Sequence, residues 1–407
     1  MRMNSGHNIR WVVDNGLCLG CGVCEDACPM NAIHIVETKA INVPHIDSAK
    51  CAHDKGCNHC FKVCPGHGID IENKSQKYFG AGGVMVDPYI GPYVGCYTGW
   101  SQDHGVRYHA ASGGLLSQFL IFLLESNVID GAVVTRFSES NPMRTQTFIA
   151  KTREEIIDSM SSKYCPVSLN GVVNEVMSFH GKVIIVGLPC HIQGMRKTEE
   201  LNEKFRANVA GYFSIYCSSN RNFDAQKYLC KKQNIKPGDV KKFTYRDNGC
   251  LGFMKILTDK KVISVPFIEY YESLRSYFKP RRCSFCVDHY GMLADVSFGD
   301  IHIDPYFNEI GVNSVVVRSP AFHDYLVQAQ RAESILLNAV KSTEVNRSQQ
   351  MMLKNQKISA PFYFKFERFL GRKVPIYDLK LSEVRWLKGA RYWLSYTFQR
   401  WIGRWIK

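Results

Sequence analysis

Long apolar runs are missing from this 407-residue chain. A membrane-spanning helix needs roughly 18 or more consecutive apolar residues, and the best stretch, Leu115–Leu124, is broken by Ser117 and Gln118. The first ten residues, MRMNSGHNIR, hold no apolar core of an export signal, so a cytoplasmic protein is expected. Also missing is a Gly-x-Gly-x-x-Gly turn between a strand and a helix. Gly80-Ala-Gly-Gly83 lacks both flanks, which leaves a Rossmann nicotinamide site without support. With 45% hydrophobic and 22% charged residues, the composition excludes disordered and collagen-like chains. At about 150 residues per domain, the length predicts two or three domains.

Negative charge is scarce overall, 37 Asp and Glu against 51 Lys and Arg, but the imbalance is local. Residues 1–75 carry 7 basic and 8 acidic side chains, whereas residues 346–407 carry 14 basic and 3 acidic. The main body therefore lacks the electrostatic footprint of a nucleic-acid binder, and no nucleic-acid partner is expected.

What is abundant is cysteine. Sixteen in a chain expected to stay in a reducing compartment point to metal binding rather than to disulfides. Half of them lie between Cys18 and Cys64 in two runs. The first, Cys18-x2-Cys21-x2-Cys24-x3-Cys28-Pro29, is the bacterial ferredoxin spacing, in which the fourth cysteine serves the other cluster. The second, Cys51-x5-Cys57-x2-Cys60-x3-Cys64-Pro65, matches it apart from a longer first gap, Ala52 to Gly56. Crosswise ligation predicts one [4Fe-4S] cluster on Cys18, Cys21, Cys24 and Cys64 and a second on Cys51, Cys57, Cys60 and Cys28. Gly20 and Gly22 allow the backbone to approach the cluster, and His53, His59 and His67 read as supporting or surface groups. A zinc ribbon is the rival, but zinc does not need eight cysteines in two such frames.

Past this module, strands expected at Ile129–Thr135, Lys182–Val186 and Val315–Val317 alternate with helices at Gly114–Glu125, from His191 and from Phe322. That alternation predicts a mixed α/β core with at least partly parallel pairing. Four more cysteines are placed for chemistry: Cys190 after a strand and Pro189, Cys217 after the run Phe213–Tyr216, and the Cys283-x2-Cys286 pair. A third cluster, buried core thiols, and a nucleophilic Cys190 beside His191 all fit this spacing. Ser112, Gly113 and Gly114 open a helix in a manner suited to a phosphate, though a tight turn fits equally.

Several strings resemble the family of coenzyme F420 hydrogenase/dehydrogenase beta subunits. They are Ala111-Ser-Gly-Gly114, Ser162-Lys-Tyr164, Gly187-Leu-Pro-Cys-His-Ile192, Tyr245-Arg-Asp247, Arg282-Cys-Ser-Phe-Cys286 and Asp295-Val-Ser-Phe-Gly-Asp300. The resemblance covers about residues 15–320. It implies FAD in the core, contacted by Ser112, Gly113, Gly114, Ser162, Lys163, Tyr164, Arg246 and Asp300. It also implies a third [4Fe-4S] cluster on Cys190, Cys217, Cys283 and Cys286. The sequence departs from the family at His191, where Gln is usual, and at Cys217-Ser-Ser219, where Cys-His-Gly is usual.

The domain map expected is a ferredoxin-like α+β domain (1–75), a linker (76–94), a mixed α/β flavin-binding core (95–345) and a basic aromatic tail (346–407). Four of the six Trp lie at 386, 393, 401 and 405. At 100° per residue Trp386, Ala390, Trp393, Leu394, Trp401 and Trp405 share a side away from Arg385, Lys388 and Lys407, an amphipathic helix suited to a membrane surface; a helix docked on the protein itself is the alternative. The expected activity is that of an iron–sulfur flavoprotein oxidoreductase. Its partners would be an external ferredoxin or redox subunit and the inner membrane face. Its substrate would be a lipid-linked glycan or polysaccharide precursor. The alternatives are a non-catalytic electron-transfer subunit or a coenzyme F420 dehydrogenase subunit.

Overall fold

The computed structural model describes residues 6–406. The first five residues, read above for an export signal, and Lys407 lie outside the described residues. The core is an eight-stranded mixed sheet. In chain order its strands are β1 Gly95–Ser101, β2 Gly131–Phe137, β3 Thr145–Ala150, β4 Val183–Gly187, β5 Val209–Ile215, β6 Val296–Asp300, β7 Asn313–Val317 and β8 Ile335–Val340. They lie in the order β8-β1-β7-β6-β5-β4-β2-β3. The middle of the sheet, β2-β4-β5-β6, is parallel, and the pairs toward both edges are antiparallel. A parallel centre needs cover on both faces, which is why β4 reads as an unbroken apolar run. Alternate residues serve the two faces. Ile184 and Phe213 pack with helices α1 Leu115–Glu125 and α3 Pro320–Arg331, on Phe119, Phe322 and Leu326. Val183, Ile185 and Tyr212 face helix α2 Pro189–Glu199 through Ile192 and Met195.

That second apolar layer is continuous with the cysteine-rich module, whose Val23, Val63, Ile69 and Ile71 belong to it. The module contains one antiparallel hairpin, Ile33–Glu37 with Asn42–Ile46. Gly68–Ile69 pairs instead, in parallel, with Ile376–Tyr377 from the far end of the chain. The expected boundary at residue 75 falls inside a helix, Ile71–Phe79, whose Phe79 is buried. A smaller antiparallel sheet, Lys242–Asp247, Phe253–Leu257 and Val262–Pro266, projects from the core.

The C-terminal segment is built into the fold. Helix α4 Ala360–Phe369 and helix α5 Trp386–Gly403 pack together. The inner face of α5 holds Gly389 against Phe362, Trp393 against Phe366 (ring centroids 4.9 Å apart) and Gly403 against Tyr277. The membrane-facing reading of this helix is therefore corrected in part, because Trp393, counted on its free face, is turned inward and donates Nε1–H to Glu367 at 3.0 Å. Competing aromatic partners far away in sequence decided the helix's rotation. No helix among the described residues is long and apolar enough to cross a membrane.

Glu367 ties these parts together. Its buried carboxylate also accepts from Arg281 (2.8 Å) and Arg372 (3.2 Å), and Arg281 donates in turn to the Asn15 carbonyl of the N-terminal module (3.0 Å). Losing charge-assisted hydrogen bonds to a buried acceptor costs about 2 kcal/mol. Glu367→Gln is expected to lower the denaturant midpoint accordingly, measured by unfolding under anoxic conditions.

Candidate functional site

The two cysteine runs fold crosswise. Cys64 lies close enough to Cys18 and Cys21 to raise both thiols by repulsion, second only to the effect of burial; burial and Cys64 together push Cys18 up to about 12. Cys24 feels burial first, then Cys21, Cys64 and Cys18. Cys60 is raised to about 11 by burial, with Cys28 and Cys57 adding to it. Cys51 is half-buried at the head of the longer gap, and a bond from the Cys57 N–H to the Ala52 carbonyl (3.2 Å) closes that gap into a turn. Buried, mutually repelling thiols stay protonated unless a cation neutralises them, so the donor set suits iron. Amides point at the sulfurs as well: Gly20 N–H to Cys18 Sγ (3.4 Å), Ala32 N–H to Cys28 Sγ (3.3 Å) and Gly66 N–H to Cys64 Sγ (3.2 Å). Among the described residues no three His, Cys, Asp or Glu converge as ligands of one ion would. His53 and His67 bond backbone carbonyls, of Cys57 and Phe61.

The four core cysteines also meet. Cys190 opens helix α2 just past β4, and Cys217 follows the adjacent parallel strand β5. Both thus sit at the carboxyl ends of the sheet, where open α/β folds gather ligands. Cys283 lies on a short 3-10 turn, Arg281–Phe285, with Cys286 as its last residue's neighbour. Burial, then Cys217, Cys21, Cys286 and Cys283, push the Cys190 thiol far up. Burial, then Cys283 and Cys286, do the same to Cys217, opposed by Arg221 and Lys279. Cys21 shares an apolar cluster with Ile192 and Met195 of α2, the helix that opens with Cys190, so the module's first thiol set packs on the helix carrying a core thiol.

Close packing produces that adjacency. A methyl group on Gly194 of α2 would stand 3.1 Å from Val23 and 3.5 Å from Pro65. Gly22 (φ +81°) has Ser168 and the Asn170 amide where a Cβ would go, and Leu169 N–H donates to the Cys21 carbonyl at 2.8 Å. The close approach that Gly22 permits is therefore to the core loop as well as to the thiol loop. Lys197, buried, donates to the carbonyls of Cys64 (2.8 Å) and Gly68 (2.7 Å), and Arg282 donates to Gly66 and Pro65. Arg221 keeps a buried Nε–H with no partner among the described residues. This cationic lining suits negatively charged clusters. Sequence reading missed Lys197, Arg221 and Lys279; the only signals were their positions one or two helical turns from, or four residues beside, a cluster cysteine. His191, the departure from the family pattern, caps its own helix by accepting the Leu188 N–H at 3.3 Å.

The residues that the resemblance implies for FAD lie in one neighbourhood. Buried Arg246 donates to Asp300 (2.7 Å) and stacks over Phe267 at 4.9 Å. Tyr164, raised to about 12 chiefly by burial, faces Arg246 and accepts support from Ser162. Ser112 Oγ donates to Val312 (2.8 Å), and Gly113 packs against Gly99 and Asn313 with no room for a Cβ. Gly114 precedes helix α1, whose first N–H already bonds Asn313 Oδ1 at 3.0 Å. Lys163, implied as an FAD contact, has its ammonium folded onto the carbonyls of Ser159, Met160 (2.8 Å) and Ser161 (3.0 Å). The neighbourhood reaches the core thiols through hydrogen bonds, since Gln349 donates to the Asp300 carbonyl (2.7 Å) and pairs with His289 (3.1 Å), whose carbonyl accepts the Cys217 N–H (3.0 Å).

His302, unread in the sequence, pairs with Asp300 at 3.1 Å. Burial disfavours its charge, but the Asp300 carboxylate and Cys250 hold the imidazole up at about 9. A raised folded-state value stabilises below the ordinary pKa of about 6.5 and stops doing so as pH climbs through the folded value. His302→Asn is expected to be less stable than the wild type at pH 6 and equally stable at pH 10, by urea unfolding.

Three family models match the chain. Residues 96–174 match the N-terminal part, and residues 180–343 the C-terminal part, of the family described as coenzyme F420 hydrogenase/dehydrogenase, beta subunit. Residues 17–69 match the 4Fe-4S dicluster domain. A coenzyme F420-dependent sulfite reductase of Methanocaldococcus jannaschii is 24% identical, with 85% of this chain aligned to 50% of that protein. The chain thus spans about half the length of this relative. The coenzyme F420 hydrogenase subunit beta of Methanosarcina barkeri is 24% identical over 65% of this chain and 93% of its own. In the solved F420-reducing [NiFe] hydrogenase complex from Methanosarcina barkeri, one chain shares the fold with a TM-score of 0.51 at 22% identity, covering 67% of this chain and 95% of that one. With the dicluster module and both parts of the core matched in chain order, this chain belongs to the coenzyme F420 hydrogenase/dehydrogenase beta-subunit family.

Proposed function

We propose that this chain is the iron–sulfur electron-transfer subunit of an F420-linked oxidoreductase. The observation that carries the reading is the packing of Cys21 on Ile192 and Met195 of the helix that opens with Cys190, which supports passage of electrons between the module's thiols and those of the core. Three four-cysteine sets then form a row: Cys28, Cys51, Cys57 and Cys60; then Cys18, Cys21, Cys24 and Cys64; then Cys190, Cys217, Cys283 and Cys286. The Arg246–Asp300 neighbourhood ends the row. [4Fe-4S] clusters, when bound, carry single electrons, and FAD, when bound, converts between single electrons and a hydride. The protein's own contribution is to bury the thiols, aim amides and cations at them, and keep the sets in contact. Arg246, Tyr164 and the loop before α1 would hold FAD, with coenzyme F420 as the hydride partner. Of the relatives described, those with a named activity are F420-linked, which favours F420 over the glycan substrate expected from the tail.

Anoxic purification with joint iron and flavin analysis tests this. About twelve iron and one FAD per chain are expected, with oxidation of reduced F420 by a dye acceptor. Cys190→Ser should leave about eight iron. Eight iron in the wild type, without flavin, would contradict the reading.

A redox partner subunit is proposed as the recipient or donor of electrons. The outward stripe of α5, Leu387, Leu394, Phe398 and Trp401, continued by Trp405 just past the helix, stays exposed beside Arg391 and Arg404. We retain the membrane proposal for this stripe alone. Because α5 is part of the fold, its test is Leu394→Asp with Phe398→Asp rather than truncation. Binding to anionic vesicles should fall at least tenfold if the stripe inserts, and unchanged binding would remove the membrane from the account.

A further inference from the structure

Outside the three thiol sets, four cysteines remain, of which Cys96, Cys165 and Cys230 are buried and Cys250 is partly exposed. Cys250 lies on the loop after the strand Lys242–Asp247, and that loop is fixed from several directions. The Cys250 N–H donates to the Glu309 carbonyl (2.8 Å), the Gly249 N–H to the Tyr108 carbonyl (2.8 Å), and Arg246 Nε–H to the Leu251 carbonyl (2.9 Å). The sulfur is thereby held between two nitrogen groups. Arg246 Nη2 stands 3.7 Å away and His302 Nδ1 4.0 Å away. The opposite ring nitrogen of His302, Nε2, is 3.1 Å from Asp300 Oδ2, and the same oxygen accepts from Arg246 Nη1 at 2.7 Å.

This is a sulfur, an imidazole and a carboxylate in line, the constellation by which a thiol is activated: a base on the nucleophile and an orienting acid on the base. Arg246 adds a permanent positive charge beside the sulfur. The electron-transfer row uses none of Cys250 or His302. We propose that Cys250, with His302 and Asp300, is a nucleophilic thiolate site for soft electrophiles, small disulfides being the substrate class. In the step, the Cys250 thiolate attacks one sulfur of the disulfide, so that a new S–S bond forms as the old one breaks. The departing thiolate takes a proton from the His302 imidazolium, leaving a mixed disulfide on Cys250, a free thiol and neutral His302. No electrons leave the three sulfurs involved. The group so attached would lie on Arg246, against the proposed cofactor neighbourhood. The site's location there rests on the residues alone and holds whether or not FAD binds.

The test uses the full chain, purified without oxygen with its clusters, and 4,4′-dithiodipyridine as the disulfide. Release of thiopyridone is followed by absorbance, and the modified residue is located by mass spectrometry. Proton transfer by a positioned imidazole contributes about tenfold or more in rate. One fast equivalent per chain is expected at Cys250, about tenfold faster than a small free thiol. Cys250→Ser should abolish it. His302→Asn should slow it about tenfold at pH 7. The charged and titratable groups that face the sulfur are Arg246 and His302, with Asp300 behind both and Tyr164 beyond Arg246. Iron content and circular dichroism establish that the variants are folded. If Cys250 reacts no faster than the free thiol, or if His302→Asn leaves the rate unchanged, the assignment is overturned. Neither outcome bears on the iron count that tests the electron-transfer role.

Discussion

The contact between helix α2 and the cysteine-rich module is the constraint on which the rest of the structure depends. At Gly194 the two surfaces come so close that a single methyl group would touch Val23 and Pro65. The same helix carries Cys190 at its first turn and Lys197 two turns on, and Lys197 reaches across to the Cys64 and Gly68 carbonyls. One helix thus fixes a core thiol, a bridging cation and the spacing between two thiol sets. Shift it outward, and Cys21 and Cys190 part. Electron-transfer partners must be near each other before any tuning of potential matters, so this packing comes first in the causal order.

The surrounding architecture holds that contact. The apolar layer under α2 is shared by β4, β5 and the module, which makes separation of module and core expose Val23, Val63, Ile69 and Ile71 to water. The chain's far end closes over the junction: Ile376–Tyr377 adds a strand beside Gly68–Ile69, Asp378 caps the helix Ile71–Phe79 by accepting from Glu72 and Asn73, and Arg282 reaches the Tyr377 hydroxyl. The basic tail is thereby a clamp with one inward face. Its positive charge is spread over the outside, where Arg385, Lys388, Arg391 and Arg404 are exposed.

How much of this was legible follows from how local each signal is. The two ferredoxin runs are written within 47 positions, Cys18 to Cys64, and their spacing alone led to the expectation of two crosswise thiol sets. Strands and helices of the core came within two or three residues of Gly131–Phe137, Val183–Gly187 and Pro320–Arg331, because their apolar runs have clear periods. Cys190, Cys217, Cys283 and Cys286 span almost a hundred residues, so spacing left three readings open and only the family resemblance chose among them. Nothing in the sequence set Cys21 beside Cys190, since that depends on how two packed surfaces meet. Helix α5 was legible as a helix, but its rotation depends on Phe362, Phe366 and Tyr277, which periodicity within α5 cannot see. His302 escaped notice because a histidine two residues past a strand's Asp300 carries no motif.

If the module's thiols and the core's thiols form one adjacent row, electron paramagnetic resonance of the anoxically purified, fully reduced chain will show it, because neighbouring reduced clusters broaden and split each other's signals. A coupled spectrum that simplifies in Cys190→Ser is the result expected. A wild-type spectrum that is merely the sum of isolated clusters, unchanged in line shape when the Cys190 set is removed, would mean that the module and the core do not form one electron path.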